Sequence, residues 1–143
     1  MDWNEMMKLP DTENALVLRT DFLNDMAWES ICSEIQKPVG EFQAYVALVS
    51  DPVFSGMNPK GILEISGKSQ KRFFLFVVDP TTISHPEHPV LVIDLLNEPG
   101  RTFRVIPSEM WGVENNLSIL NMDFAEFADN TDPDGIFRGF STS

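Results

Sequence analysis

The sequence is short of three things: cysteine, positive charge and long apolar runs. Cys32 is the only cysteine among 143 residues, so an internal disulfide cannot form and a reducing compartment is indicated. The longest apolar runs, 44–49 and 73–78, fall far short of the roughly 20 residues that a membrane-spanning helix needs. The opening MDWNEMMKLPD also lacks the basic and apolar regions of a secretory signal. We therefore expect a cytoplasmic protein that does not enter membranes.

Positive charge is outnumbered by negative charge. The chain has 10 Lys and Arg residues against 22 Asp and Glu, a net charge of −12. Such a surface repels nucleic-acid phosphates and anionic membranes, because both are bound through basic patches. A basic protein partner or a divalent cation remains compatible, and solubility alone is a further explanation. The stretch 114–134 has no base and six acids: Glu114, Asp123, Glu126, Asp129, Asp132 and Asp134.

Several common catalytic signatures are also missing. The chain contains no glycine-rich phosphate loop, no Gly-x-Ser-x-Gly elbow and no basic, aromatic nucleic-acid motif. His85 and His88 have the spacing of a zinc pair, but Pro86 prevents the regular helix that would align their rings. Cys32 lies among apolar neighbours, where a thiol is a poor nucleophile. We expect no bound cofactor.

What is present indicates one domain over residues 1–143. Residues 1–14 form a polar lead-in, from which Trp3, Met6 and Met7 can pack against the body. Apolar, β-favouring runs predict five strands: 15–20, 42–49, 72–79, 90–96 and 101–106. Pro99-Gly100 favours a tight turn between the last two strands, which predicts an antiparallel hairpin.

Helical signals separate the first three strands. Asn24 can cap a helix with an apolar stripe over Ala27, Ile31 and Ile35, and further short helices are predicted from Asn58, Pro107 and Asn121. Strand–helix–strand alternation favours parallel pairing. The prediction is an α/β domain with a mixed sheet of about five strands, a C-terminal antiparallel hairpin and flanking helices.

Three aspartates follow predicted strands directly. Asp21, Asp51 and Asp79 come after VLRT, ALVS and FVV. Because ligands of parallel α/β sheets bind beyond the carboxyl ends of the strands, these carboxylates could converge on Mg²⁺ or supply acid–base chemistry. The alternative is that each aspartate caps its own turn or helix.

Asp94 interrupts an apolar run, VLVIDLL, and so needs a partner if it is buried. Arg101 and Arg104 on the next strand are the expected partners, in a structural ion pair. The candidate catalytic residues are therefore Asp21, Asp79, Asp94, Arg104 and Arg138, and the candidate metal ligands are Asp21, Asp51 and Asp79.

The segment NTDPDGIFRGFS, residues 130–141, has the acidic alternation and glycine of a calcium loop. With Gly135 at the sixth loop position, Ser141 stands where a bidentate glutamate is required, and Arg138 stands at a ligand position. We therefore interpret the segment as a turn, with Phe137 and Phe140 buried and Arg138 facing an acid.

Longer phrases carry a family resemblance. They are ALVLRTDF, FLFVVDP, HPVLVIDLLNEPGRTFRVIPSEMWGVENNLSILNMDFAEF and DGIFRGF, and they span Ala15 to Phe140. The chain resembles a family of small acidic proteins of bacteria and some fungi that is classed as a domain of unknown function. The resemblance implies a free-standing cytosolic domain and brings no activity or site residue with it.

Two hypotheses follow. The first is a protein-binding domain, of the immunity or inhibitor kind, that docks a basic protein partner through the acidic C-terminal surface and binds neither nucleic acid nor membrane. The alternative is a metal-assisted or acid–base enzyme built on the strand-end carboxylates. The oligomeric state is open, and an assembly subunit is a third possibility.

Overall fold

A six-stranded mixed sheet forms the centre of the protein, in the order β2-β1-β3-β4-β5-β6. The computed structural model describes residues 8–66 and 72–140, so the packing expected of Trp3, Met6 and Met7 lies outside the described residues. The strands are β1 (Ala15–Arg19), β2 (Val46–Val49), β3 (Phe74–Val78), β4 (Val90–Asp94), β5 (Thr102–Val105) and β6 (Ile136–Phe137). The helices are α1 (Asp25–Gln36), α2 (Pro59–Ser66), α3 (Pro80–Ser84), α4 (Met110–Ser118) and α5 (Phe124–Ala128).

Strand directions follow from the connections. β1 lies between β2 and β3 and is parallel to both, as expected for strands joined through helices. β4 is antiparallel to β3 and β5. The hairpin turn is closed by the Arg101 N–H, which donates to the Glu98 carbonyl at 2.9 Å, and Gly100 has a φ of +97°. The predicted α/β domain with a mixed sheet and a C-terminal antiparallel hairpin is confirmed.

The sixth strand comes from the tail. Ile136 and Phe137 pair in parallel with Arg104 and Val105 of β5. A two-residue strand is too short to give a periodic pattern, so sequence reasoning counted five strands. The glycine-containing turn before it therefore brings the chain back onto the edge of the sheet.

Local chemistry explains most helix boundaries. The Asn24 side chain accepts the Ala27 N–H at 3.0 Å, which starts α1 as predicted. β2 begins at Val46 instead of 42, because Val39 and Phe42 bridge each other in a turn before it. α5 is capped by Asp123 and Glu126, which bond reciprocally, and not by Asn121.

Helices cover both faces of the sheet. α1, α4 and α5 pack on one face over a core with Val17, Phe76 and Phe103. α2 and the short 3₁₀ turn Pro52–Phe54 pack on the other face. Every side chain of β3 is buried, as expected for a central strand covered on both sides. None of the helices within 8–66 and 72–140 combines the length and apolar character needed to cross a membrane.

Candidate functional site

The carboxyl ends of β2, β1 and β3 lie at one edge of the sheet, and the three strand-end aspartates follow them there. Each carboxylate is already engaged in its own turn. Asp21 accepts the Leu23 N–H at 2.9 Å, Asp51 the Val53 N–H at 3.0 Å, and Asp79 the Thr82 N–H at 3.1 Å. In the part of the chain that the structure describes, no three His, Cys, Asp or Glu side chains are grouped to hold a metal ion. The hypothesis of a metal-assisted or acid–base enzyme therefore stays a prediction, and no cluster of potential metal ligands among the described residues supports it.

Asp79 makes a bidentate ion pair at this edge. Its two oxygens accept from both terminal nitrogens of Arg104, at 3.0 and 2.7 Å, and both side chains are mostly buried. Burial would raise the pKa of Asp79, but the hydrogen bonds from Arg104 and from the Thr82 N–H outweigh it and hold that pKa below its usual range. The pair joins the end of β3 to β5.

Arg19, at the end of β1, is a residue that sequence reasoning missed. Its side chain is 4% exposed, and its guanidinium donates to the Asp21 carbonyl at 2.8 Å, to Ser50 at 3.2 Å and to Asp25 at 2.7 Å. It also lies over the ring of Phe22, 4.3 Å from the centroid. The signal was available: an arginine that ends an apolar run needs a carboxylate, and Asp25 follows six positions later.

The ion pair expected for Asp94 is wrong. Its buried carboxylate accepts three backbone N–H groups, those of Leu96, Asn97 and Glu98, at 2.9, 3.1 and 2.7 Å. The turn after β4 wraps back over the side chain and satisfies it without an arginine. Arg104 binds Asp79 instead, and Arg101 binds Glu98 and Asp129.

The carboxylates of the acidic turn bind the side chain of Arg138. Its guanidinium binds Glu87, Asp132 and Asp134, each at 2.7 Å, so the expectation that it faces an acid is confirmed. Hydrogen bonds from Arg138 lower the pKa of Glu87 and of Asp134. The turn therefore carries its own cation.

The phenylalanines beside Arg138 differ. Phe137 is buried as predicted, but Phe140 is 47% exposed, which contradicts the expected burial. Phe140 contacts Phe127 and Phe137 with one side of its ring, at centroid distances of 5.6 and 4.9 Å. Because it follows β6, no further layer of the chain covers its outer side among the described residues.

The acidic stretch 114–134 is less negative in the fold than in the sequence. Glu114 is buried and accepts the Tyr45 N–H at 2.8 Å. Asp129 is paired with Arg101, and Arg138 neutralises two further acids. The bases that compensate these acids come from outside the stretch, which is why its composition overstates its charge.

A second acidic surface lies at the start of α1, and we call it the α1 surface: Asp21, Leu23, Asp25, Met26 and Glu29. Leu23 is 97% exposed and Met26 81% exposed, although both are large apolar side chains. Asp25 and Glu29 lie four residues apart on the same exposed helix face. Asp25 contacts Arg19 and still remains open to solvent. Two apolar side chains therefore stand exposed among three carboxylates.

The cysteine and the two histidines of the sequence analysis lie outside the sites described above. Burial raises the pKa of the Cys32 thiol to about 11, against the lowering effect of Arg19. The His85 Nδ1 accepts the Glu87 N–H at 3.0 Å. The Nδ1 of His88 is buried and has no hydrogen-bond partner among the described residues.

These features define a small, acidic, mixed α/β domain whose ionic contacts mainly hold turns and strand ends together. A family model described as a domain of unknown function (DUF6924) matches residues 14–140. The chain belongs to that family, which confirms the resemblance to a domain of unknown function. No curated protein matches the chain.

Proposed function

We propose that the domain is a cytoplasmic binding protein that docks a basic protein partner on the α1 surface. The carrying observation is the exposure of Leu23 and Met26 among Asp21, Asp25 and Glu29. Apolar side chains supply contact area that is desolvated on binding, and the surrounding carboxylates select a partner of opposite charge. Such an arrangement suits an immunity- or inhibitor-like domain that neutralises a basic protein.

The distribution of arginine supports this choice of surface. Four arginines bind carboxylates within the fold: Arg19, Arg101, Arg104 and Arg138. Much of the positive charge is therefore used internally, while the net charge stays at −12. Four of the six C-terminal acids are buried or paired, since Glu114 is buried and Asp129, Asp132 and Asp134 bind Arg101 or Arg138. Of the three carboxylates of the α1 surface, only Asp25 binds an arginine of the described residues, so we favour this surface as the docking site.

Electrostatic attraction of a basic partner should be visible in the association kinetics. A negative surface accelerates encounter with a basic protein, and salt screens that attraction over roughly 10 Å at 0.1 M ionic strength. Association should therefore slow as NaCl is added, while the apolar contacts hold the dissociation rate nearly constant.

The probe is a synthetic peptide of alternating lysine and leucine, with a glutamate–leucine peptide as its matched control. We expect the basic peptide alone to shift the amide NMR signals of residues 21–30. Glu29→Lys and the double variant Leu23→Ser/Met26→Ser should each weaken binding by at least about fivefold. Glu64→Lys, an exposed helix position away from this surface, should cause only the smaller loss expected from net charge.

Two results would count against the proposal. If the basic and the acidic peptide bound equally well, the partner would not be selected by its positive charge, and the proposal of a basic partner would be wrong. Signal shifts confined to 123–134 would keep the partner class and return the docking site to the C-terminal surface.

A further inference from the structure

A cavity of about 150 Å³ opens beside the amino ends of β1 and β3. Its polar wall includes Thr12, Glu13, Asn14, Arg72 and Ser118, and Phe73 contributes an aromatic wall. The carboxyl-edge aspartates and the α1 surface lie at the opposite ends of the parallel strands. The cavity is therefore separate from the proposed docking site.

Arg72 is the cation of this cavity. One terminal nitrogen donates to the Thr12 hydroxyl at 3.2 Å and the other to the Pro10 carbonyl. Unlike Arg19, Arg101, Arg104 and Arg138, it makes no ion pair with any carboxylate of residues 8–66 and 72–140. Burial lowers its pKa, and the nearby Asp11 opposes that effect. A guanidinium in this position remains charged and can accept an anionic group as a partner.

Glu13 supplies the opposite charge on the same wall. It is exposed, and its carboxylate makes no hydrogen bond within the described residues. Inorganic anions are disfavoured here, because Asp11, Glu13 and the net charge of −12 all repel them. A ligand that carries its own positive group avoids that repulsion.

We propose that the cavity binds a free α-amino acid, with its carboxylate on Arg72 and its ammonium group towards Glu13. The hydroxyl protons of Thr12 and Ser118 are already donated to the Asn14 carbonyl and to Glu114, so their oxygens are left to accept from the ammonium group. Phe73 offers an apolar wall for the side chain. The cavity is well below the roughly 300–1,000 Å³ of sites for drug-sized ligands, so the amino acid must be small or medium-sized.

L-Valine is the probe, followed by amide NMR on the whole protein. We expect signal shifts at residues 12–15, 72–74 and 118. N-acetylvaline lacks the ammonium group and isobutylamine lacks the carboxylate, so each should bind at least about tenfold more weakly. Arg72→Gln should abolish the shifts.

Glu13→Gln tests the ammonium contact at an exposed residue whose replacement leaves the fold intact. It should weaken valine binding at least about fivefold, and it should not weaken the binding of N-acetylvaline, an anion that Glu13 repels. Glu41→Gln, also exposed and outside the cavity, is the matched control and should change neither. Equal binding of valine and N-acetylvaline, or of valine and inorganic phosphate, would overturn the proposal. So would the absence of shifts at millimolar valine.

Discussion

Asp79 connects three parts of the fold through one carboxylate. It ends β3, caps α3 through the Thr82 N–H, and binds the guanidinium of Arg104 on β5. A cap and an ion pair on the same side chain can be separated by mutation, because asparagine caps helices as well as aspartate does but cannot neutralise an arginine. Asp79→Asn therefore isolates the ion pair.

Asp79→Asn should lower the free energy of unfolding by about 2 kcal/mol at neutral pH, since it leaves a mostly buried guanidinium without its anion. The folded-state pKa of Asp79 is lowered, so its contribution is complete above the unfolded-state pKa of roughly 3.9 and is lost as pH falls through the folded-state value. Urea unfolding from pH 7 downwards measures both effects.

The matched control for Asp79→Asn is Asp51→Asn. Asp51 caps the 3₁₀ turn Pro52–Phe54 and makes no ion pair with a described residue, so its replacement should cost less than about 0.5 kcal/mol. If the difference between wild type and Asp79→Asn did not shrink at all as the pH falls below the unfolded-state pKa, the Asp79–Arg104 ion pair would not be its source.

Cys32 should be unreactive in the folded protein. With a pKa of about 11, only about 0.1% of the thiol is ionised at pH 8, and the thiolate is the reacting species. Ellman's reagent should therefore react slowly with native protein at pH 8 and quickly after urea unfolding. Equal rates in both states would contradict the burial of this thiol.

At the level of elements, two glycines make opposite demands on the backbone. Gly112 lies within α4, where alanine is the better helix former and meets no atom within 4 Å. Gly135 precedes β6 with a φ of +82°, and an added Cβ also meets no atom within 4 Å. An alanine at either site would therefore meet no steric clash, and the two sites differ only in the backbone conformation that the alanine must adopt.

Gly112→Ala should stabilise the protein by about 0.5–1 kcal/mol, and Gly135→Ala should destabilise it by about 1–2 kcal/mol. Urea unfolding of both variants measures the expected increase and the expected decrease in the free energy of unfolding. A neutral Gly135→Ala would mean that the turn before β6 can relax without the left-handed conformation, and that β6 is not held by it.

Long, periodic elements were predictable from the sequence, and short ones were not. The stripe of α1 and the apolar runs of β1, β3 and β4 extend over enough residues for their period to appear. α3 is not among the predicted helices, because Asp79-Pro80 can start either a turn or a helix, and only the reciprocal bonds with Thr82 decide between the two. β6 exists through pairing with β5, which is a tertiary contact.

The contacts of charged residues were the least predictable feature. Arg138 was expected to face an acid because it lies among aspartates in the chain, and local spacing sufficed. Glu87, 51 residues away, joins that cluster only in the fold. Asp94 shows the converse error, since a buried carboxylate was assigned an arginine when backbone N–H groups were closer.

For the molecule as a whole, Arg138 links the charge balance to closure of the fold. It ties β6 and the acidic turn to Glu87 in the loop before β4, and it keeps three carboxylates from repelling one another. The protein already carries a net charge of −12, so loss of this cation adds local repulsion to general repulsion.

Arg138→Gln should therefore lower the Tm at low ionic strength, and added NaCl should restore part of that loss because salt screens repulsion between exposed carboxylates. Lys60→Gln removes the same charge from an exposed position without an ion pair to a described residue, and its Tm should stay close to wild type. Differential scanning calorimetry at low and moderate NaCl compares the two variants. If both lost the same Tm, net charge would explain the effect, and the cluster around Arg138 would have no role of its own in holding β6 against the sheet.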